Sequence, residues 1–445
     1  MKPKDIADQI IKLAKDAQNG EVEVFVSTHA SLEIDILDGQ IEALDSHTET
    51  GVGIRVLEEE KLGFAYTSEL NDDSIDDCLK KALHNTKCTS ANPFLSFSKN
   101  NLPKTKMEIY SPDISATPLE NKIALAKTME EAARAYDKRV LKTEKVTYEE
   151  AEYEVYLQNS GGFSGSFKGN HCGGFAQIVA GDGKALEAGM GFSFAKRFKD
   201  LDATAIGKEA AENAIELLGP RPTRSRKTTL VLSPRIAAQI LGILTTPLSG
   251  EALIKGKSLF KDKKGKLVAA KIINIVDDGT LANGIATAPF DGEGIPSQKT
   301  SLISGGVLRG FLHNIYSANA TKNKPTGNAA RGSYQSFPVL STTNFYIENG
   351  TDAPDKLIKN IKDGIYITRV MGVHTANPIS GDFSFGAQGI VIENGEKTYS
   401  TRGITIAGNI IELLKSITAI GNDLRFTPTI GSPTLVVENV AVGGH

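Results

Sequence analysis

The segment from Asp277 to Asn328, DDGTLANGIATAPFDGEGIPSQKTSLISGGVLRGFLHNIYSANATKNKPTGN, constrains the chain more than any other. It opens on two carboxylates, Asp277 and Asp278. Glycines that tolerate positive φ then lead to a second acidic turn, Asp291-Gly292-Glu293-Gly294. After it, SLISGGVLRGFLHN has the pattern of a hairpin. Leu302 and Ile303 lead into Gly305-Gly306, and Val307, Leu308, Phe311 and Leu312 lead out. The segment closes on Thr326-Gly327-Asn328, so nearly every turn signal sits beside a possible functional group.

A chain of 445 residues is long enough to bury two cores. The natural break is the proline-punctuated RPTRSRKT behind Gly219-Pro220, dividing residues 1–220 from 221–445. A formal net charge of -3 gives no global attraction to nucleic acid or an anionic membrane. The three cysteines, Cys78, Cys88 and Cys172, lack disulfide-framework or C-x-x-C spacing and fit a reducing compartment. The first twenty residues carry Ile6, Ile10, Ile11 and Leu13 at helical spacing, and no run reaches the roughly 18–20 apolar residues of a membrane span.

Beyond that helix, Val22, Val24 and Val26 alternate with polar residues, as do Leu32, Ile34 and Ile36, and the polar stretch between them is expected to turn, giving two strands. GVGIRVLEEE and KLGFAYTSEL form a further pair, followed by a helix through Ile75, Leu79 and Leu83. Residues 90–117 lack a steady period and are expected to cross the surface. A helix from about Pro118 to Tyr136 and strands up to Lys196 follow, then a helix from Thr204 to Leu218. Glycines around Cys172 have neither phosphate-loop nor dinucleotide spacing, so hairpin turns and bulges account for them.

The second half is expected to start with the strand TTLVL and a helix at Ser233-Pro234, where serine can cap. Strands are expected near 270–275, 299–312, 340–347, 364–371, 384–393 and 434–439, with helices near 353–361 and 406–418. The fold class is α+β in two domains: an N-terminal α/β sandwich-like domain and a C-terminal domain of mostly antiparallel sheet with helices.

Four ordered elements resemble the TldD/PmbA family: Asp277-Asp278-Gly279-Thr280-Leu281, Phe290-Asp291-Gly292-Glu293-Gly294, Leu302-Ile303-Ser304-Gly305 and Thr326-Gly327-Asn328. The pieces Gly51, Gly53, Arg55, Val56 and Gly63 to Ser68, and the closing run Ser432 to Gly444, extend the resemblance over nearly the whole chain. It implies a cytoplasmic dimer whose catalytic TldD type is a metallopeptidase and whose PmbA (TldE) type is its partner. Some family names also refer to modulation of DNA gyrase, a connection taken here as indirect, through peptide substrates.

In the catalytic type, a helix in the C-terminal domain carries H-E-x-x-x-H and a later cysteine completes the site. Two imidazoles and a thiolate hold the ion, one position stays open to water, and the glutamate takes the water's proton. This chain has no His-Glu dipeptide, no histidine between His171 and His313, and no cysteine after Cys172. Its corresponding segment reads SPRIAAQILGILTTPLSGEALIKGKSLF, which leaves Glu251 without a metal to serve and with Lys255 and Lys257 as salt partners. The chain therefore resembles the PmbA (TldE) type: no catalytic residues, no metal ligands and no cofactor of its own, with zinc expected only in a catalytic partner.

Other centres are weaker. His313 or His374 could join Asp277, Asp291 or Glu293 in a hydrolytic site, yet a histidine beside an apolar run is more often a hydrogen-bonded structural residue. Acidic turns more often are solvated loops that brace backbone. No G-x-S-x-G elbow appears, and His171 does not readily point at Cys172. The lysine run from Lys255 to Lys266 has only Phe260 interleaved, so a solvated loop is favoured over nucleic-acid binding. Expected partners are a TldD-like subunit or a second copy, with a peptide substrate, no direct nucleic acid and no membrane. Asp277, Asp278, Asp291, Glu293, Gly294, His313, Thr326, Gly327 and Asn328 are expected at a substrate groove or dimer loop. The alternative is a homodimeric pseudo-peptidase or peptide-binding protein acting without a metal-bearing partner.

Overall fold

A computed structural model of the chain describes residues 2–16, 20–99 and 107–444. The first half runs α1 (Pro3–Asp16), β1 (Glu21–Leu37), β2 (Gln40–Glu58), β3 (Lys61–Thr67), α2 (Asp72–Thr86), α3 (Pro112–Ala116), α4 (Leu119–Tyr136), β4 (Val140–Asn159), β5 (Ser164–Gly181), β6 (Leu186–Ala195) and α5 (Ala203–Ile215). Its strands form one antiparallel sheet in the order β3-β2-β1-β4-β5-β6. Val22, Val24 and Val26 pack with Ile54, Ile6 and Ile10, while Ile34 and Ile36 pack with Met129 and Ile206. The helices thus cover one face, and the α/β sandwich follows from the period of two in β1. Part of the surface crossing expected between 90 and 117 lies outside the described residues.

The turn expected between Val26 and Leu32 does not exist. β1 is a single strand of 17 residues, paired with β2 from Glu21 to Leu37 and with β4 from Glu23 to Ile36. Ser27, His29 and Ser31 look turn-like because they face away from the helices. The ladders on both sides satisfy the backbone there, so no turn chemistry is needed.

The second half runs β7 (Arg226–Leu232), α6 (Pro234–Gly242), α7 (Gly250–Ile254), β8 (Ile275–Asp278), β9 (Lys299–Ser304), β10 (Val307–Leu308), α8 (Ile315–Thr321), β11 (Ala329–Ala330), β12 (Val339–Leu340) and β13 (Phe345–Ile347). It continues with α9 (Pro354–Lys359), β14 (Asp363–Met371), β15 (Asp382–Glu393), β16 (Glu396–Asn409), α10 (Ile410–Lys415), β17 (Ile417–Ile420), β18 (Arg425–Thr427), β19 (Ile430–Ser432) and β20 (Leu435–Gly443). Two six-stranded sheets, β10-β9-β8-β13-β19-β18 and β16-β15-β14-β7-β20-β17, contribute to one core that includes Leu230, Phe260, Leu302, Phe345, Ile365 and Val437. Among the strands of the described residues, β7 with β14 and β13 with β19 pair in parallel and the others are antiparallel.

Three local expectations shift. The strand placed at 270–275 begins at Ile275. The helix placed at 406–418 is strand up to Asn409, because buried Ile404 and Ile406 alternate with exposed Thr405 and Ala407, and only Ile410–Lys415 turns helical. Pro234 opens α6 as expected, but Ser233 makes no side-chain cap bond.

The hairpin forms around Gly305 and Gly306, with φ of 58° and 74°, the conformation a two-residue turn of this hand requires. Leu302, Ile303, Leu308, Phe311 and Leu312 are buried in the chain's own core. The chain's own second half covers them.

Candidate functional site

The face of the first sheet opposite its helices meets the loops of the second half. From β1 it presents Glu23, Phe25 and Ser27. Glu23 receives Nε and Nη2 of Arg55, both at 2.8 Å, and also Nη2 of Arg331 from across the seam. Arg331 Nε donates to the Gly292 carbonyl at 2.7 Å, and its guanidinium lies over the Phe25 ring at 4.6 Å. The Tyr334 N–H donates to Ser27 Oγ at 3.1 Å. Glycine at position 51 admits the Tyr334 ring, since a Cβ there would sit 2.4 Å from it. This use of the Gly51-x-Gly53 piece was not legible in the sequence.

Most of the sequence-selected residues converge in one network beside this seam. His313 N–H donates to Thr326 Oγ1 at 2.7 Å, and Thr326 Oγ1 is 2.7 Å from Asn328 Oδ1. Asn328 Nδ2 donates to Asp277 Oδ1 at 2.7 Å, and the Thr343 N–H and hydroxyl donate to the same carboxylate, each at 2.7 Å. Asp278 accepts the Thr280 N–H and hydroxyl at 2.9 and 2.7 Å. Asp291 accepts the N–H groups of Glu293, Ile295 and Ala329, each at 2.9 Å, which ties the acidic turn to the segment behind Thr326-Gly327-Asn328. Glu293 accepts the Ile315 N–H at 2.8 Å in the first turn of α8.

These carboxylates brace backbone, as expected, but they are not solvated: Asp277, Asp278 and Glu293 are buried. Burial raises Asp277 above the usual carboxylate range against the pull of Asn328 and Thr343. It also raises Asp291 and Glu293, to about 6 and about 7. Gly294 has φ of 79° and lies against the Phe163 ring.

The histidine readings resolve toward structure. His313 is buried, with Nδ1 3.3 Å from Ser317 Oγ, and burial aided by Lys264 pulls it down to about 4. His374 is exposed in a turn after β14. Cys172 and His171 point to opposite faces of β5. Burial pushes the thiol up to about 12 and pulls the imidazole down to about 4, so they form no nucleophile pair. The lysine run is largely exposed, while Phe260 is fully buried and offers no stacking surface for a base.

Two adjoining cavities open at the seam. One of about 200 Å³ is bounded by Phe25, Phe167, Phe290 and Arg331, and reaches Asp291, Gly327 and Asn328. The other, about 420 Å³, shares Phe25, Phe167 and Arg331 and extends to His29, Glu49 and Tyr153. Of the sequence-selected set, Asp291, Gly327 and Asn328 line the first cavity; Asp277, Asp278, Glu293, Gly294, His313 and Thr326 line neither.

This pairing of a helix-backed antiparallel sheet with a two-sheet domain is the architecture of a known peptidase group. Family models for PmbA/TldA metallopeptidase domain 1, central domain and C-terminal domain match residues 22–86, 112–218 and 225–444. The chain belongs to the TldD/PmbA metallopeptidase family. It is 24% identical to metalloprotease PmbA of Escherichia coli O157:H7 over 98% of this chain and 94% of that one. It is 28% identical to a metalloprotease TldD homolog of Haemophilus influenzae, over 92% and 89%. A crystal structure from Thermotoga maritima, named for a candidate modulator of DNA gyrase, superimposes with a TM-score of 0.92 at 28% identity, covering 99% of this chain and 100% of that one.

A metallopeptidase family implies a metal, and the donor set here does not fit one. α6 presents Ile236, Ala237, Ile240 and Leu241 to the core. Beyond it, Thr245, Thr246, Ser249, Glu251, Lys255 and Lys257 border a cavity of about 410 Å³. Glu251 is half-buried, 3.3 Å from Lys255 Nζ and accepting from Asn314 Nδ2 at 3.3 Å. Of the two lysines expected as salt partners, Lys255 is the one that pairs with it. Among the described residues no group of three or more His, Cys, Asp or Glu could hold a metal ion, and no helix is long and apolar enough to cross a membrane.

Proposed function

We propose that this chain is a non-catalytic, PmbA/TldE-like subunit of a TldD/PmbA-type metallopeptidase that processes unfolded peptides, acting in the cytoplasm. The observation that carries the reading is the segment from α6 to α7. The family's domains are retained around it, yet it offers hydroxyls, one carboxylate and two lysines where a zinc site needs imidazole and thiolate. The catalytic centre then belongs to a TldD-like partner, and this chain supplies scaffold and part of the peptide groove. The seam cavities support a groove, being concave and combining aromatic side chains such as Phe25 and Phe167 with polar groups such as Arg331, Asn328 and Glu49.

Purification of the tagged chain from its native cell tests the proposal. Recovery of a second chain bearing H-E-x-x-x-H, with peptidase activity only in the pair, is the expected result. Repeated isolation as a self-pair without that chain overturns it and favours a homodimeric peptide-binding protein.

A further inference from the structure

The first sheet leaves one stretch of strand edge open. β2 pairs with β1 from Gln40 to Leu57, but β3 covers its other side only from Val52 to Glu58. Val22 donates to Ser160 Oγ at 2.9 Å and accepts the Ser160 N–H at 2.8 Å, on the β4 side of β1. Its neighbours Glu21 and Glu23 therefore bond toward β2, to Leu57 and Arg55, and the register holds without a shift from there to Asp35 opposite Ala43. Over this run the odd residues of β2 turn their backbone groups inward, and Leu44, Ser46, Thr48 and Thr50 turn theirs outward. Among the described residues no strand or backbone bond meets these four, and Leu44, Ser46 and Thr48 are exposed.

The sheet's other edges are closed. Asn85 Nδ2 takes the Phe64 carbonyl on β3 at 2.8 Å, and on β6 the Arg369 and Arg425 side chains of the second half take the Ala188 and Phe192 carbonyls. From Ala43 to Gly51 the open edge of β2 has no proline, lysine or bulge, the devices that commonly keep an edge from pairing. Such an edge is a template for an added strand.

The flanking side chains select that strand. On the seam side, Asp45 stands opposite Glu33 and Glu33 opposite Glu149, a row of carboxylates across three strands. Like charges directly opposite repel. Lys145 reaches Glu33 and Asp35, which leaves Asp45 and Glu149 without an ion pair among the described residues. Burial and the nearby Glu33 raise the Glu149 carboxyl, the direction that repulsion gives. A cation beside Asp45 relieves the row. On the helix side, Leu44 and Ile41 are 41% and 46% exposed and stand opposite buried Ile34 and Ile36, so an apolar side chain there extends the core. A second copy fits less well, since it would bring its own Glu42, Asp45 and Glu49 to the same edge.

We propose that the outer edge of β2 from Leu44 to Thr50 docks an extended peptide segment as an added antiparallel strand, with a basic residue beside Asp45 and an apolar one beside Leu44. The proposal rests on the peptide-processing reading above and names the class of peptide that reading would admit.

The chain holds no tryptophan, so fluorescence anisotropy of a tryptophan in the peptide reports binding to the full chain without interference. The probes are the end-blocked peptide Thr-Thr-Val-Thr-Val-Lys-Trp and its counterpart with Glu in place of Lys. The lysine peptide should bind at least about fivefold tighter. Ser46→Pro deletes an outward N–H without touching the ladder to β1, and should weaken the lysine peptide about tenfold. Asp45→Lys should reverse the order of the two peptides, and this exposed substitution keeps the test valid if Ser46→Pro folds poorly. Equal binding of the two peptides, or full binding to Ser46→Pro, overturns the proposal. Absence of binding at millimolar concentration also overturns it, and a dimer that Ser46→Pro dissolves would then assign the edge to a second copy. Recovery of an H-E-x-x-x-H partner decides the subunit reading separately, so either can fail alone.

Discussion

Arg331 reaches across the seam to Glu23, a residue 308 positions earlier, and the pair is almost wholly excluded from solvent. Glu23 is also the acceptor for Arg55 on the neighbouring strand, so one carboxylate holds two buried guanidinium groups. Burial lowers Arg331 to about 10, which leaves it charged at neutral pH. Removing the shared carboxylate leaves two cations without their main partner. Glu23→Ala should therefore cost about 3–5 kcal/mol of stability, far more than loss of a surface pair. Urea denaturation measures it, and a loss below about 1 kcal/mol would show that the cluster does not hold the two halves together.

That pair also shows where reading the sequence stops. The alternation of Val22, Val24 and Val26 was enough to place β1 and its buried face, because side-chain period is a local property. Glu23 and Arg55 become a pair only once β1 and β2 are in register, and Arg331 joins them only through the tertiary fold. The turn expected at Ser27 to Ser31 failed for a related reason, since small polar residues look like a break unless the sheet's second face is known. The segment from Asp277 to Asn328 was more legible. Its Asp, Thr and Asn residues do gather into one network from Asp277 to His313, but as backbone braces and not as reactive groups. The aromatic cavity was invisible, because Phe25, Phe167 and Phe290 come from three distant segments and each has an ordinary core role in its own strand or loop.

Glu293 makes stability depend on pH in a defined direction. Burial raises its carboxyl from 4.5 to about 7, so between those values the folded chain holds a proton that the unfolded chain has lost. The neutral acid's contribution is complete below about pH 4.5 and is lost as pH rises through about 7. Glu293→Gln keeps an acceptor for the Ile315 N–H and stays neutral throughout. The variant should gain on the wild type from pH 5 to pH 8, by on the order of 1–3 kcal/mol. Paired thermal melts at the two pH values decide it; a variant that loses ground over this range contradicts the assignment.

Association is the third test. The apolar residues of the hairpin are buried internally, so the expectation of a dimer now rests on family membership and on apolar groups left at the surface beside the seam. Phe337, Val339 and Tyr66 are 45%, 58% and 52% exposed, and Phe337 packs on Phe64 with ring centroids 4.6 Å apart. A stable obligate interface buries about 2,000 Å² or more in total. Light scattering at micromolar concentration should give twice the chain mass of 47.6 kDa when the protein is expressed alone. A clean monomer would refute self-pairing.

The last test concerns metal content, and its sign follows from donor chemistry. Zinc in a peptidase is held by lone pairs on imidazole, thiolate or carboxylate, and one carboxylate cannot hold it against water. At the family position this chain offers Glu251 alone, already engaged by Lys255 and Asn314. Hydroxyls of Thr245, Thr246 and Ser249 are poor ligands while protonated, and Lys255 and Lys257 add repulsion toward a cation. The chain purified alone should therefore carry no stoichiometric zinc, whereas its complex with an H-E-x-x-x-H partner should carry one ion per catalytic subunit. Elemental analysis of both preparations checks this. One zinc per chain in the isolated protein, retained through mild chelation, would contradict the non-catalytic assignment and require a metal site built from residues outside the segment from α6 to α7.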